Sequence, residues 1–196
     1  MKKMLPSQVF RKLAVLYDDM QKQYVQYAGA VGLSCAGCSQ NCCTSFFQHH
    51  THVEWAYLLR GLSECDETTR SRYVTRAHQY VRSATEALQN NRKPDAMCPL
   101  NDDGLCGLYQ HRLMICRLHG VPNLLRFPNG RKIEFPGCFR SQELCRDMNQ
   151  IPVLDRTPLY TRLMELEMQY GGAKIRTRPR VDLTLAEMIV QGEPEL

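Results

Sequence analysis

Ten cysteines carry most of the chemical meaning in this chain, and they are grouped. Cys35, Cys38, Cys42 and Cys43 come first, in the run Cys35-Ala-Gly-Cys38-Ser-Gln-Asn-Cys42-Cys43. At about 100° per residue, Cys35, Cys38 and Cys42 fall within about 60° of one another on a helix. A turn in which Gly37 takes a positive φ converges the same three sulfurs. Either way three thiolates meet at one place, as tetrahedral zinc and iron–sulfur clusters both require. Cys43 points away from that face, so the vicinal pair suggests a polynuclear cluster or two neighbouring sites.

Cys98 lies 55 residues beyond Cys43, and Cys106, Cys116 and Cys138 follow, with Cys145 close behind. Cys98-Pro99 has the form of a ferredoxin-type ligand junction, where proline stiffens the chain and removes a competing amide. Gly104-Leu105-Cys106 reads as a turn that delivers a thiolate. Cys116 is bracketed by Arg112 and Arg117, cations able to lower a thiol pKa or offset accumulated negative charge. Eight thiolates suffice for two tetrahedral sites, or for one cluster and a further ion. Cys65, just after a helical pattern, reads as a small buried hydrophobe. A disulfide framework is the weaker reading, because Cys42 and Cys43 are adjacent and a chain of 196 residues buries an adequate core without staples. A redox dithiol at Cys35 and Cys38 alone would leave the other cysteines unexplained.

The elements that must hold these groups are mostly helical. Val9, Leu13, Leu16, Met20, Tyr24 and Tyr27 recur at helical spacing from Ser7 to about Ala28, with Gly29 and Gly32 as stop signals. Thr51 and Glu54 form a capping-box pattern at the head of a helix running to about Ser63, with Val53, Trp55, Ala56, Leu58, Leu59 and Leu62 as its apolar run. Asp66 to Gln89 predicts a longer helix with Tyr73, Ala77, Tyr80, Val81, Ala84 and Leu88 facing inward. Irregular loops and one short helix around Tyr109 are expected between Pro94 and Gly120. Leu124–Phe127 and Arg131–Phe135 flank Pro128-Asn129-Gly130, a hairpin signal. Thr157-Pro158 starts a helix that ends at Gly171-Gly172, and Thr184 with Glu187 is a second capping box heading a short helix. The expected fold is mainly α: a single domain with irregular, metal-organised loops and a small β-hairpin. Within it, residues 1–32 form the N-terminal amphipathic helix, 33–146 the cysteine-cluster region, and 147–196 the C-terminal helices packed on the same domain.

Composition narrows the function classes. Lys and Arg number 25 against 20 Asp and Glu, a net charge of +5. Residues 1–98 hold 12 basic and 8 acidic side chains, and the remainder 13 and 12, so neither half is a basic nucleic-acid-binding arm. No stretch approaches the roughly 20 apolar residues that span a bilayer. Pro6, Gln8, Arg11 and Lys12 interrupt any apolar signal core after Lys2 and Lys3. The expected compartment is therefore the reducing cytoplasm, where thiols are kept for metals or chemistry.

Two separated blocks together resemble a known family. Cys35-x-x-Cys38-x-x-x-Cys42-Cys43, then Cys98-Pro99-Leu100, then Gly104-x-Cys106-x-x-Tyr109-x-x-Arg112-x-x-x-Cys116-Arg117 and Gly120, are similar to the YkgJ-type cysteine-cluster (CxxCxxCC) family, described as a zinc- or iron-chelating domain. The resemblance spans about Leu33 to Cys138. Three residues separate Cys38 from Cys42 where the family name implies two, and Leu113 stands where members often carry proline. The resemblance implies eight metal ligands: Cys35, Cys38, Cys42, Cys43, Cys98, Cys106, Cys116 and Cys138. Cys145 can replace Cys138, which is preferred because Pro136-Gly137 makes a turn that aims it. Flagellin lysine N-methylases carry a related cluster, an iron–sulfur centre used with S-adenosylmethionine, so an iron–sulfur-dependent methyl-transfer or electron-transfer enzyme is the alternative to a zinc- or cluster-binding protein. No Gly-rich methyltransferase loop follows a strand here.

Histidines complete the inventory. His49, His50 and His52 lie beside the first block, where imidazole could join a mixed site; the simpler reading places His50 and His52 at a helix start and His49 in solvent. His111 and His119 bracket Cys116 as candidates to hydrogen-bond a thiolate. Tyr109 and Arg112 are read as holding the loop in shape. The basic run from Lys174 to Arg180 reads as a solvated linker between the last two helices, since no aromatic platform for nucleic acid accompanies it.

Overall fold

The apolar stripe at the start of the chain becomes α1 (Pro6–Ala30), with proline in its first turn and Val9, Leu13, Leu16, Tyr17 and Met20 buried along one face. The computed structural model describes residues 3–36, 38 and 42–195; Gly37, the turn residue expected in the first cysteine block, lies outside them. The helices that follow are α2 (His52–Ser63), α3 (Glu67–Gln89), α4 (Met114–Leu118), α5 (Phe139–Cys145), α6 (Thr157–Gly171) and α7 (Leu185–Gln191). The described residues form a single, mainly helical domain with small sheets of two and three strands.

α2 is the centre of the packing. Val53, Ala56 and Tyr57 join α1, α4 and α6 in one apolar cluster, while Trp55, Leu58, Leu59 and Leu62 join α3 and α7 in another. A helix apolar on every side belongs in an interior. Trp55 Nε1 donates to the Met188 carbonyl at 3.0 Å and so ties α2 to α7.

Burying α2 also buries its N-terminus, whose first amides have no partner within the helix. Here the expected capping box gives way to another arrangement. The Thr51 hydroxyl donates to the Glu54 carboxylate at 2.9 Å and makes no cap to the backbone. The amides of His52 and Val53 instead donate to the two oxygens of Glu167, on α6, at 3.0 and 2.8 Å. The His52 ring nitrogen Nδ1 meets the same carboxylate at 2.8 Å. Glu54 turns inward and accepts from the Tyr17 hydroxyl at 2.8 Å and from the Met114 amide at 2.7 Å. Two buried carboxylates thus complement the positive end of α2. The second capping box forms as its sequence pattern predicts, between Thr184 and Glu187 at the head of α7.

α3 starts at its Asp66 cap and buries Tyr73, Ala77, Tyr80 and Ala84 as expected, but Leu88 is 53% exposed in its last turn, where the packing against α7 has run out. Between α3 and α4 the chain is more ordered than expected. β1 (Asn101–Asp102) and β2 (Leu105–Cys106) pair antiparallel around a turn at Asp103 and Gly104, and a 3-10 turn covers Tyr109–His111. The predicted hairpin forms as β3 (Asn123–Arg126) and β4 (Lys132–Phe135), and β5 (Leu154–Asp155) adds to β3 in parallel. From Ala173 to Arg180 the segment between α6 and α7 is exposed except for Ile175, the solvated linker the sequence predicts. No described helix is long and apolar enough to cross a membrane.

Replacing Glu167 with alanine strips the partner from two buried amides and a buried imidazole. Urea denaturation of Glu167→Ala is expected to show a loss of about 3 kcal/mol with an unchanged slope. Glu165→Ala, on the exposed face of the same helix, is expected to stay within about 0.5 kcal/mol of the parent.

Candidate metal centre

Short turns deliver most cysteines of the site, and a short helix delivers Cys116. Cys42 and Cys43 lie in the 3-10 turn Cys42–Thr44. The Cys98 amide donates to the Cys43 carbonyl at 2.9 Å, so the two cysteine blocks are joined backbone to backbone. Pro99 contributes no amide of its own, and the chain turns tightly as the Asn101 amide donates to the Cys98 carbonyl at 3.0 Å. The β1–β2 turn then brings Cys106 back opposite Asn101. Cys116 sits on α4, whose first amide is held by Glu54 at the buried end of α2.

Cys42, Cys43, Cys98, Cys106 and Cys116 consequently line one cavity of about 50 Å³. His49, Tyr80 and Arg112 share its wall, and Thr184, Leu185 and Ala186 close it from the start of α7. All ten cysteines are free thiols. Cys35 and Cys138 meet elsewhere. The Tyr24 hydroxyl lies 3.9 Å from the Cys35 sulfur, and its proton is held more tightly through burial and the charges of Cys35 and Cys138. Cys138 reaches that place from a sharp corner. Gly137 has a φ of +87°, and a Cβ there would press on Ser141 and the Gly120 carbonyl, which itself accepts from the Cys138 amide at 3.1 Å. A Cβ on Gly120 would strike the Tyr24 ring, which is the reason the second block ends in glycine. The Cys38 amide donates to the Cys35 carbonyl at 3.2 Å. Cys145 is buried at the end of α5, and Cys65 packs against the second apolar cluster with its thiol 3.6 Å from the Gly61 carbonyl.

Charge ties the two groups together. The guanidinium of Arg112 acts on Cys42, Cys43, Cys106 and Cys116, and also on Tyr24. Arg117 serves the backbone instead. It donates to the carbonyls of Tyr109, Gln110 and Arg112 and stacks 4.2 Å above the Tyr17 ring, fixing the loop before α4. Tyr109 is tied to α1 through Gln21 at 2.8 Å. Burial raises the pKa of Cys98 and Cys106 and pushes Cys116 up to about 12, with Arg112 opposing the rise at Cys106 and Cys116. Within the vicinal pair the Cys42 thiol donates to Cys43, which raises Cys42 and lowers Cys43 to about 6.

The histidines are placed differently from the sequence expectation. His49 is 1% exposed, not solvated, because its backbone pairs with Leu183 on both sides and carries the ring inward. Burial lowers its pKa to about 3. His50 pairs with Asp182 and His52 with Glu167, at the start of α2 as predicted. His119 meets Phe47 edge-on and Phe135 at a tilt, and His111 packs on Tyr57, so the structure places both against aromatic rings. Sequence reasoning weighed His49 for a mixed site but preferred it solvated, and it missed the roles of Tyr24 beside Cys35 and of the α7 wall.

The donor chemistry, soft sulfur with one imidazole, suits zinc or an iron–sulfur cluster. Among the described residues no three Cys, His, Asp or Glu side chains stand at coordinating distance of one another. No family model, curated protein or solved structure matches this chain.

In the reduced, metal-free chain, Cys43 carries the largest thiolate fraction of the cavity at neutral pH, because its pKa lies below that pH while those of Cys98, Cys106 and Cys116 lie above. Iodoacetamide at pH 7 followed by peptide mapping is expected to mark Cys43 first. Cys42→Ala removes the donated hydrogen bond and is expected to slow that reaction.

Proposed function

We propose that this chain is a cytoplasmic metal-binding protein that coordinates zinc or an iron–sulfur cluster through two converging cysteine blocks, as its resemblance to the YkgJ-type cysteine-cluster family implies. One observation carries the reading: five cysteines from both blocks line one small cavity together with the half-buried guanidinium of Arg112. Buried thiols become thiolates at neutral pH only when positive charge compensates them, and one arginine is too little for five. A bound cation supplies the rest and makes binding part of folding. The cytoplasmic part of the reading rests on thiol chemistry, since metal-binding cysteines persist where reductants keep them from pairing. Cys42, Cys43, Cys98, Cys106 and Cys116 are the residues proposed to hold the metal of the cavity, and Cys35, Cys38 and Cys138 those of a neighbouring position.

Elemental analysis with a visible spectrum, on protein purified without oxygen, is the test. Brown protein with iron and sulfide in matching amounts identifies a cluster and opens the enzyme reading; colourless protein containing zinc identifies a mononuclear centre. Chelation, or Cys38→Ser combined with Cys42→Ser, is expected to lower the melting temperature by on the order of 10 °C. A melt that does not move after complete metal removal overturns the proposal.

A further inference from the structure

The imidazole of His49 is out of balance with its surroundings. It is 1% exposed, and among the described residues its Nδ1 has no hydrogen-bond partner. Buried polar atoms nearly always have one. The neighbouring histidines do: His50 meets Asp182 and the Val181 carbonyl, and His52 meets Glu167. The placement of His49 is also fixed. Its amide donates to the Leu183 carbonyl at 2.8 Å, and its carbonyl accepts from the Leu183 amide at 3.3 Å, clamping the backbone in an antiparallel bridge. That clamp holds the ring in the wall of the cavity that Cys42, Cys43, Cys98, Cys106 and Cys116 line. Two independent observations therefore meet at one place: a gathered set of soft donors, and a buried nitrogen with no partner among the described residues.

We propose that His49 Nδ1 is a nitrogen ligand of the metal in this cavity, making the centre a mixed nitrogen–sulfur site instead of an all-cysteine one. The inference rests on the metal-binding function proposed for the cavity. Nδ1 supplies a lone pair, and the cysteines supply thiolate sulfur, the combination found in mixed cysteine–histidine zinc centres. Binding neutral imidazole in place of a thiolate also removes one negative charge from a site in which Arg112 is the cation among the cavity-lining residues.

The experiment loads the full-length reduced chain with one equivalent of zinc and records the X-ray absorption fine structure at the zinc edge. Zinc–nitrogen scattering at about 2.0–2.1 Å, with imidazole outer shells, separates from zinc–sulfur scattering at about 2.3 Å. The expected result is one imidazole in the parent and in His119→Gln, and its loss in His49→Gln with binding weakened about tenfold or more. An all-sulfur shell in the parent overturns the assignment of His49 and leaves the metal reading standing, and this needs no variant to fold. An imidazole that survives His49→Gln has the same consequence. A parent that takes up no zinc, under conditions where it is reduced and folded, overturns the assignment of His49 and the zinc form of the metal reading; iron and sulfide absent as well from protein purified without oxygen overturns that reading whole.

Discussion

The buried positive end of α2 is the constraint on which the rest of this structure depends. A helix with apolar residues on all sides has to lie inside, and its first amides then have to be satisfied inside as well. Glu167 reaches across from α6 to take two of them, and Glu54 directs its carboxylate to Tyr17, Thr51 and the first amide of α4. The last of these matters most for the site, because α4 carries Cys116. On the other side, the residues leading into α2 run through the bridge at His49. The same few hydrogen bonds thus fix the interior helix, the helix bearing one cavity thiol and the strand-like segment bearing the imidazole.

Around that anchor the sulfur atoms form two neighbourhoods. Five surround the small cavity, while Cys35 and Cys138 share Tyr24. Arg112 acts on members of both. Its side chain is therefore the electrostatic hinge of the region, whereas Arg117, only five residues along, is occupied by backbone carbonyls. Two arginines that look equivalent beside Cys116 divide into one that addresses the thiols and one that shapes the loop. The difference arises from the short α4, which points Arg117 back toward α1 and leaves Arg112 at its mouth.

The long helices were legible because their apolar residues repeat at helical spacing over many turns; α1, α3 and α6 begin and end near their sequence signals. Short elements carried weaker signals. α5 has Phe139 and Leu144 exposed, so no apolar stripe announced it, and β5 is only Leu154–Asp155, defined by pairing with β3. The two capping-box patterns had identical chemistry and different outcomes. Thr184 and Glu187 cap their own helix, while Thr51 and Glu54 are drawn into a buried network whose other members, Tyr17 and Glu167, lie far away in sequence. Spacing grouped Cys35, Cys38 and Cys42 and turned Cys43 away from them, whereas the cavity takes Cys42 together with Cys43 and Cys35 lies beside Tyr24, because contacts with the second block and with α1 sort these thiols. The depth of His49 was not legible, because it depends on Leu183, 134 positions later.

That long-range bridge has a consequence for how the molecule is made. The thiols of the cavity all precede residue 117, but its closing wall is Thr184 to Ala186. A ribosome exports the cavity cysteines well before Glu167, Leu183 and the wall of Thr184 to Ala186, so the cavity is completed only when the last of these segments has been made.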